Sequence, residues 1–127
     1  MVTRKTHKVR GATFESDTRD GFREKGYDAE RLARTGAKDE GDVVVKDFLG
    51  FTLVLECKAP GKDGRIDLSG WQKEAQLEGT HYAEARNLSR DEILSAVLIK
   101  ARGKSFEDSY LVIRLGDLYD TPIVYKP

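Results

Sequence analysis

The spacing of apolar residues along the chain changes several times, and each change predicts a different element. Gly11, Phe14, Thr18 and Phe22 fall on one helical stripe, which predicts a helix from Gly11 to Lys25. Gly26 then stands where a glycine closes a helix. Tyr27 to Arg34 reads as a short strand, and Thr35 to Gly41 as a polar loop. The stretch GDVVVKDFLGFTLVLECKAP, Gly41 to Pro60, is almost pure strand-former and predicts a hairpin turning near Leu49-Gly50. Ala59 to Leu68 is a loop punctuated by Pro60, Gly61 and Gly64. Ser69 with Gln72 three residues later is a capping-box signature for a helix from Gly70 to Leu88, with Trp71, Ala75, Tyr82 and Ala85 on one stripe. Ile93 to Ala101 is apolar almost throughout, as in a strand covered on both faces. Tyr110 to Leu115 predicts a further strand and Thr121 to Tyr125 a short last one. A strand–helix–strand crossover from Leu53–Cys57 to Leu94–Lys100 makes that strand pair parallel and the connection right-handed. The expected fold class is α/β, a mixed sheet of about five strands flanked by helices.

The register of the hairpin decides which charges meet. A two-residue turn at Leu49-Gly50 pairs Phe48 with Phe51, which sets Lys46 among Phe51, Leu53 and Leu55 and turns Asp42 to the face of Cys57. An odd-numbered loop instead gathers Val43, Val45, Phe51, Leu53, Leu55 and Cys57 on one apolar face. Asp42, Val44, Val54, Glu56 and Lys58 then share the other. Leu-Gly is not a favoured two-residue turn, so the odd loop is expected. In the first helix Glu15 follows Phe14 on the inward side. A carboxylate buried there without a partner costs several kcal/mol or takes up a proton, so it is either bonded to an arginine or aimed at a metal or substrate.

Composition sharpens this picture. At 127 residues the chain is expected to form one domain, residues 11–127, preceded by a flexible basic arm, residues 1–10. A charged share of 35% against 39% apolar leaves a modest core, and such a domain often gains burial by pairing with a copy of itself. Lys plus Arg and Asp plus Glu both number 22, a balance that argues against a polyanionic partner unless a cation neutralises some of the acids. Arg4, Lys5, Lys8 and Arg10 also stand together without an acid. Cys57 is the only cysteine and can form no internal disulfide. No apolar run approaches the roughly 20 residues of a membrane span, and no apolar stretch follows the first basic residues, so a cytoplasmic location is expected. His7 and His81 share no metal-like spacing, Asp39 and Glu40 are candidate loop acids beside the site, and no glycine-rich phosphate loop or zinc pattern is present.

Two acids and a lysine at the ends of adjacent strands suit phosphodiester chemistry, because Mg²⁺ takes oxygen ligands from one or two carboxylates and a phosphate. A lysine beside them can orient water or neutralise developing charge. An ordinary ion pair explains Glu56 and Lys58 but leaves Glu15 and Asp42 unexplained.

Asp42 followed by Glu56-Cys57-Lys58 resembles the PD-(D/E)xK nuclease superfamily, with Gly41 in place of the usual proline. Across Arg10 to Pro60, the residues Arg10-Gly11-Ala12, Glu15, Gly26-Tyr27, Arg34, Gly36, Asp42, Glu56 and Lys58 resemble the archaeal and phage Holliday junction resolvases. Beyond Pro60 the resemblance fades to architecture, although IDLSGWQKEA is similar to phage members. The resemblance implies a homodimeric endonuclease of DNA recombination and repair that cuts four-way junctions by paired nicks, using Mg²⁺ or, in its place, Mn²⁺. It implies that Asp42, Glu56 and the Cys57 carbonyl bind metal, that Lys58 positions or activates water, and that Glu15 completes the acidic site, through a water if it reaches the metal. The expected products carry a 5′-phosphate and a 3′-hydroxyl. Candidate DNA contacts are Arg4, Lys5, Lys8, Arg10, Arg34, Lys38 and Lys62, which would hold phosphates rather than read sequence. Trp71 is expected in the core, with base stacking or a dimer contact as the alternatives. A restriction-like or repair nuclease of the same fold, or a non-catalytic DNA-binding subunit, is the competing expectation.

Overall fold

A computed structural model describes residues 4–33 and 39–119, with side chains for 11–33 and 39–118. Its centre is the hairpin of β2 (Val43–Phe48) and β3 (Phe51–Lys58). β1 (Asp28–Arg31) pairs antiparallel with the outer side of β2. β4 (Ile93–Ile99) runs parallel to β3, and β5 (Tyr110–Val112) closes the far edge antiparallel to β4. The sheet order is β1-β2-β3-β4-β5, a mixed five-stranded α/β sheet as the residue pattern predicts. Helix α1 (Arg4–Glu24) covers one face, α2 (Leu68–Ala85) makes the crossover on the other, and α3 (Leu115–Tyr119) follows β5. Among the described residues no helix is long and apolar enough to cross a membrane.

The hairpin reaches the expected faces by an unexpected route. Phe48 does pair with Phe51 across a two-residue turn. Leu49 (φ 53°) and Gly50 (φ 89°) both occupy the left-handed region, the requirement of a type I′ turn. The register then shifts between Val45 and Phe48, where Asp47 (φ 53°) is also left-handed, so that Val45 pairs with Leu53 and Val43 with Leu55. This bulge, not an odd-numbered loop, supplies the extra residue that exchanges the faces. One apolar cluster therefore joins Val43, Val45, Phe51, Leu53 and Leu55 to Phe14 of α1, with Cys57 packed against it. On the opposite face Val44 and Val54 meet Tyr82 and Ala83, and Val97 and Ile99 meet Ala75 with Trp71 beside them. All seven residues of β4 are buried, as expected of a strand covered on both sides.

Several element boundaries differ from the sequence expectation: β1 ends at Arg31, α2 at Ala85 and β4 at Ile99, each short of the expected end. The backbone is already helical from Arg4, so the segment expected as an arm forms the first turns of α1. Lys and Arg are good helix formers, but without an apolar stripe they leave no periodic signal. Helix α2 is capped by Asp67, which accepts the Gly70 N–H at 3.0 Å, rather than by a Ser69–Gln72 box. Gln72 instead donates to the Val112 carbonyl at 2.8 Å, and Ala85 is exposed. The strand expected to reach Leu115 ends at Val112, and Thr121–Tyr125 lies outside the described residues.

Helix α2 approaches the sheet closely at Gly79, where an added Cβ would fall 2.0 Å from Ser95 Oγ of β4. Gly79→Ala should therefore destabilise: overpacking of about 1–3 kcal/mol outweighs a helix-propensity gain of about 1 kcal/mol. Ser95 Oγ is buried without a hydrogen bond, so adding Ser95→Ala to that variant should recover most of the lost melting temperature. A Gly79→Ala chain that melts at or above the wild-type temperature would contradict this packing.

Candidate active site

Asp42 stands one residue before β2, and the backbone around it explains Gly41. At φ 106° Gly41 adopts a conformation closed to proline, whose ring holds φ near −65°, and a Cβ there would come within 2.9 Å of Val54 Cγ1. The Asp42 amide donates to the Leu55 carbonyl and its own carbonyl accepts from Leu32, both at 2.9 Å. Its Oδ2 accepts the Cys57 N–H at 2.8 Å. An extended residue turns its amide and carbonyl to the same neighbour, so the Cys57 carbonyl opens on this same side, beyond the end of the β2 ladder.

Glu56 points the other way from Cys57, toward α2, and is 6% exposed. There it meets Glu78, 4% exposed, and Glu74. One carboxylate oxygen from each of the three lies within 4.8 Å of the others. Lys58 projects on the same face: its Nζ donates to Glu74 Oε2 at 2.8 Å, lies 3.9 Å from Glu56 Oε1 and sits 5.6 Å from the centre of the Trp71 ring. Oε2 of Glu56 and Oε2 of Glu78 are buried and meet no donor among the described residues.

The electrostatics follow from this crowding. Burial, then hydrogen bonding with Glu78 and Asp42 and the charges of both, push Glu56 from 4.5 up to about 12. Burial raises Glu78 to about 7: its hydrogen bond with Glu56 works the other way, and the charges of Asp39, Asp42 and Glu74 add to the rise. Burial opposes the Lys58 charge, but the Glu74 hydrogen bond and the charges of Glu56, Glu74 and Asp42 outweigh it and hold the ammonium above its ordinary range. Lys58 is thus a proton-bearing cation, suited to donate rather than to abstract a proton. The Cys57 thiol is pushed well up by burial and by Asp42 and Glu15, so it is no nucleophile.

The structure brings Asp42, Glu56 and Lys58 together but sets Glu15 on the other layer. Glu15 belongs to α1, on the face of Cys57, and accepts from Arg31 Nη2 at 3.4 Å. The expected convergence of Glu15 on Glu56 gives way to a group whose added carboxylates come from α2, because Phe14 anchors α1 against the opposite face of the sheet. The sequence reading missed Glu74 and Glu78. The signal was present: Glu78 lies three residues after Ala75 and four before Tyr82, an acid within the apolar stripe of α2. Asp39 and Glu40 tie the end of the preceding loop to α2, the Asp39 carbonyl lying 2.8 Å from His81 Nδ1 and Glu40 Oε2 3.1 Å from Arg86 Nη1. Trp71 is half-buried against Ala75, Val97 and Ile99. Lys62 is exposed in the loop between β3 and α2. Arg4, Lys5, Lys8 and Arg10 lie on the first turns of α1, with side chains outside the described set, and Arg34 and Lys38 lie outside the described residues.

No family model matches the chain, and no curated protein matches it significantly. Among solved structures it is similar to Hjc, a Holliday junction resolvase from the archaeal hyperthermophile Archaeoglobus fulgidus. The TM-score is 0.51 at 15% sequence identity, over 84% of this chain and 90% of that one. The likeness shows a resolvase-like fold.

The raised carboxyl groups fix the sign of a pH dependence. Glu56 and Glu78 keep their protons in the folded chain above 4.5, where an unfolded chain releases them. Their stabilising contribution is whole below that value and is lost as pH rises, for Glu78 through about 7. In EDTA the melting temperature should fall between about pH 5 and pH 8, with a slope of up to about 1.4 kcal/mol per pH unit for each proton held. Glu78→Gln, an isostere of the protonated acid, should flatten that fall. An unchanged slope in the variant would show that Glu78 titrates as an ordinary surface acid.

Proposed function

We propose that this chain is a Mg²⁺-dependent endonuclease that resolves four-way DNA junctions by paired phosphodiester hydrolysis, acting as a homodimer. The observation that carries the proposal is the buried Glu56, with a free carboxylate oxygen, beside Asp42 and Lys58 on a fold shared with a Holliday junction resolvase. Oxygen donors, among them a buried Glu56 oxygen with no donor among the described residues, suit a hard divalent cation. Asp42, Glu56 and the Cys57 carbonyl would hold it. When bound, such a cation supplies Lewis acidity to the scissile phosphate and to the attacking water.

The protein's own groups set the geometry. The Cys57 amide fixes one oxygen of Asp42 and so orients the carboxylate. The Lys58 ammonium, kept charged by its acidic neighbours, donates to the attacking water or to a phosphate oxygen as negative charge builds there. Water attacks in line, leaving a 5′-phosphate and a 3′-hydroxyl. Glu15 takes a supporting part from the α1 side, through its pairing with Arg31. Lys62, with Arg4, Lys5, Lys8, Arg10, Arg34 and Lys38, would hold phosphates without reading sequence. Paired nicks require two copies. The exposed Leu111, Leu115 and Leu118 along β5 and α3 offer apolar surface for such pairing.

Labelled four-way, Y-shaped and linear duplex DNA should be incubated with the protein in Mg²⁺, Mn²⁺ or EDTA. Symmetric paired cuts are expected in the four-way substrate alone, with either metal and not in EDTA. Asp42→Asn, Glu56→Gln and Lys58→Ala should each lower cleavage by on the order of 10²–10³-fold while junction binding persists. Glu15→Gln should cost less than any of them. Cutting of linear duplex would redirect the assignment to a restriction-like nuclease, and junction binding without cleavage in either metal would leave a non-catalytic DNA-binding subunit.

A further inference from the structure

Glu74 and Glu78 project from successive turns of α2 onto Glu56 of β3, and one oxygen of each lies within 4.8 Å of the other two. With Asp42 alongside, four carboxylates crowd together, and three of them, Glu56, Glu74 and Asp42, act on the single amine of Lys58. Such a group is unbalanced by at least the charge of one divalent ion if its acids are ionised. Crowding of acids alone would carry no assignment. Glu56 and Glu78 are both more than nine-tenths buried, however, and although they hydrogen-bond with each other, each keeps one oxygen unsatisfied. Glu56 Oε2 and Glu78 Oε2 reach no donor among the described residues. A buried carboxylate oxygen without a donor costs about 1–3 kcal/mol or more, and a bound cation would remove that cost.

We infer that Glu78, together with Glu56 and Glu74, forms a divalent-cation site in the gap between β3 and α2, so that the carboxylates added to Glu56 come from α2 and not from α1. The inference rests on the nuclease reading only in sharing Glu56 as a ligand. The separations lie within the reach of one ion: oxygens on opposite sides of Mg²⁺ stand about 4.0–4.2 Å apart and of Ca²⁺ about 4.6–5.2 Å. The three acids need little rearrangement to close on one ion. Glu74 is the exposed member, already bonded to Lys58, so an ion seated here also shares a carboxylate with the lysine and couples its occupancy to the lysine's position. Gly79, next to Glu78, lets α2 approach the sheet closely enough for Glu78 to reach β3.

The test is Mn²⁺ binding at neutral pH, followed by the electron paramagnetic resonance signal of free Mn²⁺ and by calorimetry, with no DNA present. Wild-type protein should bind Mn²⁺. Glu78→Gln should weaken that binding by about 10-fold or more, at least what losing a group that merely orients a ligand costs. Glu78→Asp, which keeps the charge, should recover part of it, and Glu15→Gln should weaken binding less than Glu78→Gln does. Thermal unfolding of each variant in EDTA verifies that the fold persists. Glu78→Gln protein that binds Mn²⁺ as tightly as wild type would overturn the site, as would a wild-type chain that binds none; junction cleavage by wild type in Mg²⁺ would then leave the nuclease reading standing. Conversely, loss of Mn²⁺ affinity in Glu78→Gln from a wild-type chain that cuts no junction would uphold the site and remove the nuclease.

Discussion

A carboxylate held out of water beside other carboxylates is the constraint around which this molecule is arranged. Glu56 is fixed on β3 by ladders on both sides, antiparallel to β2 and parallel to β4, so it cannot swing away from Glu78 and Asp42. Desolvation and like charge act in the same direction, and both favour the neutral acid until something more positive than Lys58 arrives. Holding these acids together therefore lowers the chain's stability as pH rises toward neutrality.

Most of the frame was legible in the residues. The alternation of Val43, Val45, Leu53 and Leu55 against Val44 and Val54 specified which side of each strand is core, and the continuous apolar run of β4 specified burial on both sides. The means was not legible. Leu-Gly is not a favoured two-residue turn, yet the turn forms at Leu49-Gly50 and Asp47 restores parity upstream. Burial of the two apolar faces outranks turn preference: roughly 1–2 kcal/mol at a left-handed residue is small beside a hairpin's worth of buried valine and leucine.

The candidate site was legible where its residues lie on adjacent strands and illegible where its makeup depends on the depth of the fold. Asp42, Glu56 and Lys58 follow from strand parity alone. Whether a helix adds to them from above or below the sheet depends on which face each helix covers, and an inward acid on α1 looks the same in sequence as an inward acid on α2. Glu15 and Glu78 both interrupt apolar stripes. Only the placement of Phe14 against Leu53 and Leu55, and of Ala75 and Tyr82 against the opposite face, separates a residue paired with Arg31 from one lodged against Glu56.

The irregularity at Asp47 has a consequence for the history of the chain. Point substitutions along β2 alter one side chain at a time, but loss of a single codon between Val45 and Phe48 would leave the tight turn in place and rotate the whole N-terminal half of the strand by one pleat. Val43 and Val45 would then be driven to the α2 layer and Asp42 into the apolar layer beneath α1. Length variation should thus be purged from this short stretch and tolerated in the glycine-punctuated connection between β3 and α2, where no pairing parity is at stake.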